Sequence, residues 1–371
     1  MLKLIFVFFP ALLSLLSRDS AGLECSPMTR TEKIYDGPYV SYRADQVFVQ
    51  YVIDNNGALQ VKTDSFPVRD KASIRLRVGT DVPGETFTVY LKDKLRNEKP
   101  EYRRVERQFV ISDIEGNFSA LRRLLIAGGV IDSAFKWTFG DGHLVLGGDF
   151  VDRGQHVTEV LWLVYSLEEQ ADRAGGHVHF ILGNHEIMNL SGDLRYVHNK
   201  YFTAANLIGK HYLQFFAEDS EFGRWLRTKN IVEKVGNHLY AHGGISAEVN
   251  RLGLTVSQLN ELARPFYHDS TYVFPDPRLD TIMAELGPFW YRGYYAGTPR
   301  ATQQTVDSSV ALFGVRQIVT GHTVVGDSVS TWFDRKVINT DVPHIRGISE
   351  ALYVEGNNYF RVLPDGTRKP L

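Results

Sequence analysis

The chain has 371 residues, 43% of them hydrophobic and 23% charged, with a formal net charge of -2. That composition excludes a disordered chain, and the near-neutral charge leaves no electrostatic footprint for nucleic acid. The single cysteine, Cys25, excludes an intrachain disulfide and a thiolate zinc site.

Lys3 precedes an almost wholly apolar run from Leu4 to Leu16, and small residues follow at Ser20, Ala21 and Gly22. A short positive start, an apolar core and small residues spell a secretory signal peptide. The run falls short of the roughly 20 residues that a membrane span needs. Residues 1–22 are therefore expected to be a cleaved signal. The mature protein is expected to be secreted or periplasmic, with no stable membrane span.

Residues 23–105 read as β-structure. Tyr39 to Tyr42, Val47 to Ile53, Leu59 to Thr63, Ile74 to Val78 and Phe87 to Leu91 are short apolar or alternating runs. Asp36-Gly37-Pro38, Asn55-Asn56-Gly57 and Pro83-Gly84 separate them as turn signals. The spacing predicts a small β-rich module, or an extension that pairs with the main sheet. A charged stretch from Lys94 to Arg107 leads out of it.

Residues 106–371 follow a different plan. Gln108 to Ile111 reads as a strand, and Phe118 to Ala127 as a helix with Phe118, Leu121, Leu124 and Leu125 on one face. Leu144 to Leu146 and Val178 to Leu182 read as further strands, with a helix over Val157 to Leu167 between them. Later strands are expected at Leu239 to Ala241, Gln317 to Thr320, Val329 to Trp332 and Ala351 to Val354, with helical insertions over 195–230 and 256–266. Strands alternating with helices predict an α/β fold.

Five polar clusters each follow an apolar strand. They are Ser112-Asp113-Ile114-Glu115-Gly116-Asn117, Gly148-Asp149-Phe150-Val151-Asp152-Arg153-Gly154, Gly183-Asn184-His185-Glu186, His242-Gly243-Gly244 and Gly321-His322-Thr323. The carboxyl ends of strands in open α/β sheets form the crevice where ligands bind. Asp, Glu, Asn and His without thiolates suit hard or borderline divalent ions. Arginine offers a planar fork of donors that matches phosphate oxygens, and a histidine fixed by a carboxylate can pass a proton near neutral pH.

In this order the clusters resemble the calcineurin-like metallophosphoesterase superfamily, in its phosphoprotein-phosphatase branch. Met188-Asn189-Leu190-Ser191-Gly192-Asp193-Leu194-Arg195-Tyr196-Val197 and Gly287-Pro288-Phe289-Trp290-Tyr291-Arg292-Gly293 are similar to Shewanella-like protein phosphatases. The similarity covers about residues 108–345 and leaves 23–105 outside. It implies an αββα sandwich and a dinuclear centre of two divalent ions, manganese first, with iron, zinc or magnesium as alternatives. Carried over, Asp113 with Glu115 would hold the first ion and Asp149 would serve both. Asn184, His242 and His322 would complete the second. His185 would be the general acid, oriented by Asp152, and Arg153 and Arg292 would clamp the phosphate. Glu115 departs from the pattern, since the family has histidine there. The added carboxylate is expected to make the first site harder and its water less acidic.

The function expected is hydrolysis of a phosphoprotein or small phosphate monoester by a metal-bound hydroxide. A dinucleoside polyphosphate hydrolase, which shares most of these motifs, is the alternative enzyme. A non-catalytic binder with a degraded metal site is the alternative from another class. Thr323-Val324 after His322 removes the second histidine of the nuclease-type motif. Asn117-Phe118-Ser119 and Asn189-Leu190-Ser191 match the glycosylation pattern, but beside the expected site they read as chance matches. The aromatic residues at 289–295 suit core packing, with ring stacking on a substrate as the other use.

Overall fold

A computed structural model describes residues 22–26, 28, 29 and 32–371. Except for Gly22, the expected signal segment lies outside the described residues. Among them no helix is long and apolar enough to cross a membrane.

Two six-stranded sheets form the centre. In the first, Arg107–Ile111, His143–Leu146 and His177–Phe180 run parallel, with Ile111 opposite Leu146 and Leu146 opposite Phe180. Ala351–Glu355 lies antiparallel on the other side of Arg107–Ile111, followed by Asn358–Val362 and Arg368–Pro370. The second sheet runs in the order Ser330–Trp332, Val337–Asn339, Gln317–Thr320, His238–Ala241, Val232–Val235 and Glu101–Tyr102. These strands carry apolar residues on both faces because both faces are covered. Val110, Val145, Leu352 and Val354 of the first sheet meet Val235, Tyr240, Val319 and Ile338 of the second in one buried cluster.

Helices cover the outer faces. Phe118–Ala127 starts where Asn117 accepts from the backbone of Ala120, which caps the first turn. The helix Val157–Arg173 buries Val160, Leu161, Leu163, Val164 and Leu167 completely. It runs beyond the expected end at Leu167 because no glycine or proline intervenes before Gly175. The result is the expected αββα sandwich.

The expected strands of residues 23–105 all form. Glu32–Arg43, Gln46–Asn55 and Ala58–Pro67 make one antiparallel sheet, and Ile74–Gly79 with Thr86–Tyr90 belong to another. Glu101–Tyr102 also joins the second central sheet beside Lys234 and Val235. The region is fastened to the sandwich by buried contacts. Trp162 Nε1 donates to the Pro38 carbonyl at 2.9 Å, and the Tyr39 ring stacks on Phe215 at 3.6 Å. Lys71 pairs with Glu221 at 3.2 Å and Lys92 pairs with Glu168. Each of these buried charges has an opposite partner, without which burial would cost several kcal/mol.

Candidate active site

Four of the five strand-end clusters line one cleft of about 420 Å³, and His242 of the remaining one lies against Asp149 and His322 behind it. Asp113, Glu115, Asp149, Arg153, His185, Arg292 and His322 line it. A larger groove of about 620 Å³ lies between the N-terminal sheets and the segment His198–Lys200 and contains none of these residues.

The loops that carry the site are strained. Fourteen non-glycine residues among those described have left-handed φ, and six are expected site residues. They are Asp113 (53°), Glu115 (48°), Asp149 (61°), Asp152 (68°), Arg153 (55°) and His322 (68°). Such conformations cost about 1–3 kcal/mol each and persist where the surroundings over-determine them. Two glycines make room for the carboxylates. A Cβ on Gly183 would lie 2.2 Å from Asp149 Oδ1, and one on Gly321 would lie 2.2 Å from Asp113 Oδ2.

One side of the cleft gathers lone pairs. His242 Nδ1 donates to the Gly147 carbonyl at 2.7 Å, which turns Nε2 towards Asn184 Oδ1 at 3.1 Å and Asp149 Oδ2 at 3.0 Å. His322 Nε2 donates to the Trp290 carbonyl at 2.9 Å, and its Nδ1 is buried without a hydrogen-bond partner. One ligand atom from each of Asp149, His242 and His322 lies within 4.8 Å of the others. Burial opposes a charge on His242, but Asp149 and Asp113 outweigh it and push the imidazole up to about 10. Burial also works against ionised Asp149, yet His242 and His185 hold it below the usual carboxylate range. The pocket therefore favours positive charge at this point. The orphaned His322 nitrogen, with oxygen and imidazole neighbours fixed by carbonyls, fits a divalent cation.

On the other side, His185 Nδ1 bonds Asp152 Oδ2 at 2.7 Å, leaving Nε2 to face the cleft, 3.8 Å from Asp149 Oδ2. Burial would lower the His185 pKa, but Asp149 and Asp152 outweigh it and raise it. Asp152 is itself held, since Asn189 Nδ2 donates to its Oδ1 at 2.8 Å and Tyr212 donates to Asn189 Oδ1 at 2.7 Å. Asn189 is fully buried, so the match to a glycosylation pattern there has no structural use. Asn117 is likewise engaged, donating to the His344 carbonyl at 3.1 Å.

Glu186 supports the same loop and is missed by the sequence reading. Its carboxylate accepts from the backbone of Asp149 (2.9 Å), Phe150 (2.8 Å), Val151 (3.3 Å) and Gly183 (2.8 Å). The only sequence signal is its place beside His185.

Both arginines line the cleft and are engaged by neighbouring protein groups. Glu115 forms an ion pair with Arg153, so the expected ligand and the expected clamp face each other. Glu115 also lies with Asp149 and His185 in a second group whose ligand atoms are within 4.8 Å of one another. Arg292 donates to the His322 carbonyl and, at 3.1 Å, to Thr323 Oγ1. Asp113 accepts from the His322 backbone at 3.1 and 3.2 Å and lines the cleft, but belongs to neither tight group. Burial, reinforced by Asp149 against His242, pushes Asp113 up to about 6. Of the aromatic residues at 289–295, Phe289, Tyr291, Tyr294 and Tyr295 are buried in the core.

The family pattern of calcineurin-like phosphoesterases matches residues 107–326. The chain belongs to this family. A cold-active protein-tyrosine phosphatase of a psychrophilic Shewanella species is 37% identical in sequence, and its crystal structure aligns with a TM-score of 0.81. That alignment covers 91% of this chain and 99% of the other. It therefore reaches well beyond residues 108–345, and takes in much of the region that the motif resemblance leaves outside. Shewanella-like protein phosphatase 2 of Arabidopsis thaliana is 26% identical over 69% of this chain and 75% of its own length. An uncharacterized protein of Schizosaccharomyces pombe is 32% identical over 58% of this chain and 66% of its own. The resemblance read from the motifs, the sandwich fold and the expectation of a phosphatase enzyme are borne out. Divalent metals come with the family, and the donor groups above suit them.

Proposed function

We propose that this phosphoesterase is a dinuclear-metal phosphomonoesterase that dephosphorylates proteins, phosphotyrosyl proteins included, after export from the cell. One arrangement carries the reading: the His185–Asp152 pair faces the Asp149–His242–His322 donor group across a cleft that also holds Arg153 and Arg292. The Shewanella relative is a protein-tyrosine phosphatase, which supports tyrosine as a substrate side chain. Export rests on the Leu4 to Leu16 run.

Asp113, Glu115 and Asp149 would hold one ion, and Asp149, Asn184, His242 and His322 the other, with manganese the first choice for so oxygen-rich a set. Bound there, the ions supply Lewis-acid charge to the phosphate and lower the pKa of a water. Arg153 and Arg292 donate to the phosphate oxygens. Water adds to phosphorus through its oxygen, releasing one proton to solvent, and the ester P–O bond breaks. The leaving oxygen takes its proton from His185 Nε2, while Asp152 fixes the ring through Nδ1. A dinucleoside polyphosphate hydrolase is not favoured, because the named relatives are protein phosphatases. A pure binder has no use for the His185–Asp152 proton donor.

The test uses the manganese-reconstituted mature chain, assayed on phosphotyrosyl, phosphoseryl and phosphothreonyl peptides and on an aryl phosphate. Hydrolysis should depend on two bound ions, and Asp149→Asn should lose both ions and nearly all turnover. Near-normal turnover and metal content in that variant would sink the dinuclear reading.

A further inference from the structure

One acidic group in the cleft has no part in the roles above. Asp341 follows the strand Val337–Asn339, is 4% exposed, and lines the same cavity as Asp113, Glu115 and Asp149. Its carboxylate has no hydrogen-bond or ion-pair partner among the described residues. Burial, with Asp113 next, pushes its pKa upward.

The backbone that carries Asp341 is fixed from three sides. Its N–H donates to Asn339 Oδ1 at 2.8 Å, and Asn339 Nδ2 donates to the Thr323 carbonyl at 2.9 Å. Thr340 donates through both its backbone and its hydroxyl to the Thr320 carbonyl, at 2.8 and 2.9 Å. The Thr340 hydroxyl also bonds Ser112 Oγ at 2.9 Å. Asp341 is thus tied to the strand end that presents Asp113 and to the loop that presents His322. A largely buried carboxylate that faces a cleft shared with other carboxylates, with no protein donor on it, favours a neutralising cation or proton. In the same cleft, the carboxylate expected to complete the first ion site, Glu115, is engaged by Arg153.

We propose that Asp341 is a cation-facing residue of the first metal site, holding the divalent ion with Asp113 and Asp149, directly or through water. This rests on the metal-dependent reading above. It adds to the site a carboxylate that sequence reasoning does not assign.

The test is calorimetric titration of Mn²⁺ into the metal-free mature chain, with melting curves before and after loading. Asp341→Asn keeps the shape and removes the charge. It should weaken one of two Mn²⁺ sites at least tenfold and leave the other unchanged. Its metal-free melting temperature should be no lower than that of the wild type, while the rise produced by Mn²⁺ should shrink. Asp341→Ala should behave alike. Wild-type affinity at both sites would overturn the proposal. So would a lower metal-free melting temperature with both sites weakened equally, which marks a purely structural role. A wild-type chain that takes up no Mn²⁺ overturns the underlying metal reading as well, so the two failures are distinct.

Discussion

Glu115 and Arg153 form an ion pair at the mouth of the cleft, both on residues with left-handed φ and both partly open to solvent. The pair joins two side chains that the motif resemblance assigns to different partners, a cation and a phosphate. While it holds, the guanidinium is partly neutralised. On the proposed reading, a phosphate would compete with Glu115 for Arg153.

That competition can be measured. At saturating Mn²⁺, Glu115→Gln should bind inorganic phosphate more tightly, by about two- to fivefold, the scale of a partly exposed ion pair. The inhibition constant of phosphate against aryl phosphate hydrolysis reports it. Arg153→Ala should weaken phosphate, and the double variant should resemble Arg153→Ala alone. An inhibition constant that Glu115→Gln leaves unmoved would show that Glu115 does not compete with phosphate for Arg153.

His185 offers a test of proton transfer. His185→Ala should keep its metal ions yet lose roughly 100- to 10,000-fold in rate on alkyl phosphates, the usual contribution of a general acid. The loss on nitrophenyl phosphate should be much smaller, because that leaving group needs little protonation. Asn189→Ala should follow the same pattern at lower amplitude, since Asn189 holds Asp152 and Asp152 holds the ring. Equal losses on both substrates would make His185 structural.

The contrast between His185 and Asn189 shows where the sequence is legible. Asp113, Asp149, His185, His242 and His322 each follow an apolar run and lie within three residues of a glycine, so strand, turn and site can be read together. Asn189 lies inside the helix Asn184–Ser191, five residues beyond its start, where nothing in the spacing separates a site support from a surface position. Glu186 acts through four backbone amides, a role with no side-chain partner to suggest it. Asp341 follows the strand Val337–Asn339, only three residues long, whose burial comes from neighbours distant in sequence. The N-terminal strands are visible as alternation between turn signals. Their fastening through Lys71, Lys92 and Trp162 is a matter of which charges meet, and no local pattern carries that.

Close backbone packing makes two glycines testable. Gly183→Ala should push against Asp149 Oδ1 and Gly321→Ala against Asp113 Oδ2, each from a separation of 2.2 Å that real Cβ atoms do not tolerate. Both variants should lose metal affinity and turnover at least tenfold. Their far-ultraviolet circular dichroism should remain that of the wild type. Gly175→Ala, with nothing within 4 Å of its Cβ but a φ of 83°, should lose modest stability and no metal. If Gly183→Ala binds Mn²⁺ normally, the loop around Asp149 is more yielding than its hydrogen bonds to Glu186 imply.

Remote from the cleft, His177 gives the stability a defined pH dependence. Its Nδ1 bonds Asp172 at 2.9 Å, and its Nε2 faces Glu98 at 3.3 Å and the Tyr102 hydroxyl at 2.9 Å. Burial would lower its pKa, but Asp172 and Glu98 outweigh burial and raise it from 6.5 to about 9. A group whose folded pKa is raised stabilises fully below its unfolded pKa and loses that contribution as pH climbs through the folded value. The His177 contribution should therefore be complete at pH 6 and gone by pH 9.5 or so. Its size is at most on the order of 3 kcal/mol, and less in practice because the Asp172 side chain is 60% exposed. Nearby Glu233, raised to about 8 by burial and then by Glu98, loses stability in the same direction on ionising. His177 in turn lowers Glu233, so the comparison of wild type with His177→Gln reports the imidazole together with its coupling to Glu233. Melting temperatures should differ most at pH 6, with the variant lower, and converge as pH rises to 9.5. A difference that stays constant across this range would mean that His177 is neutral in the fold and contributes packing alone.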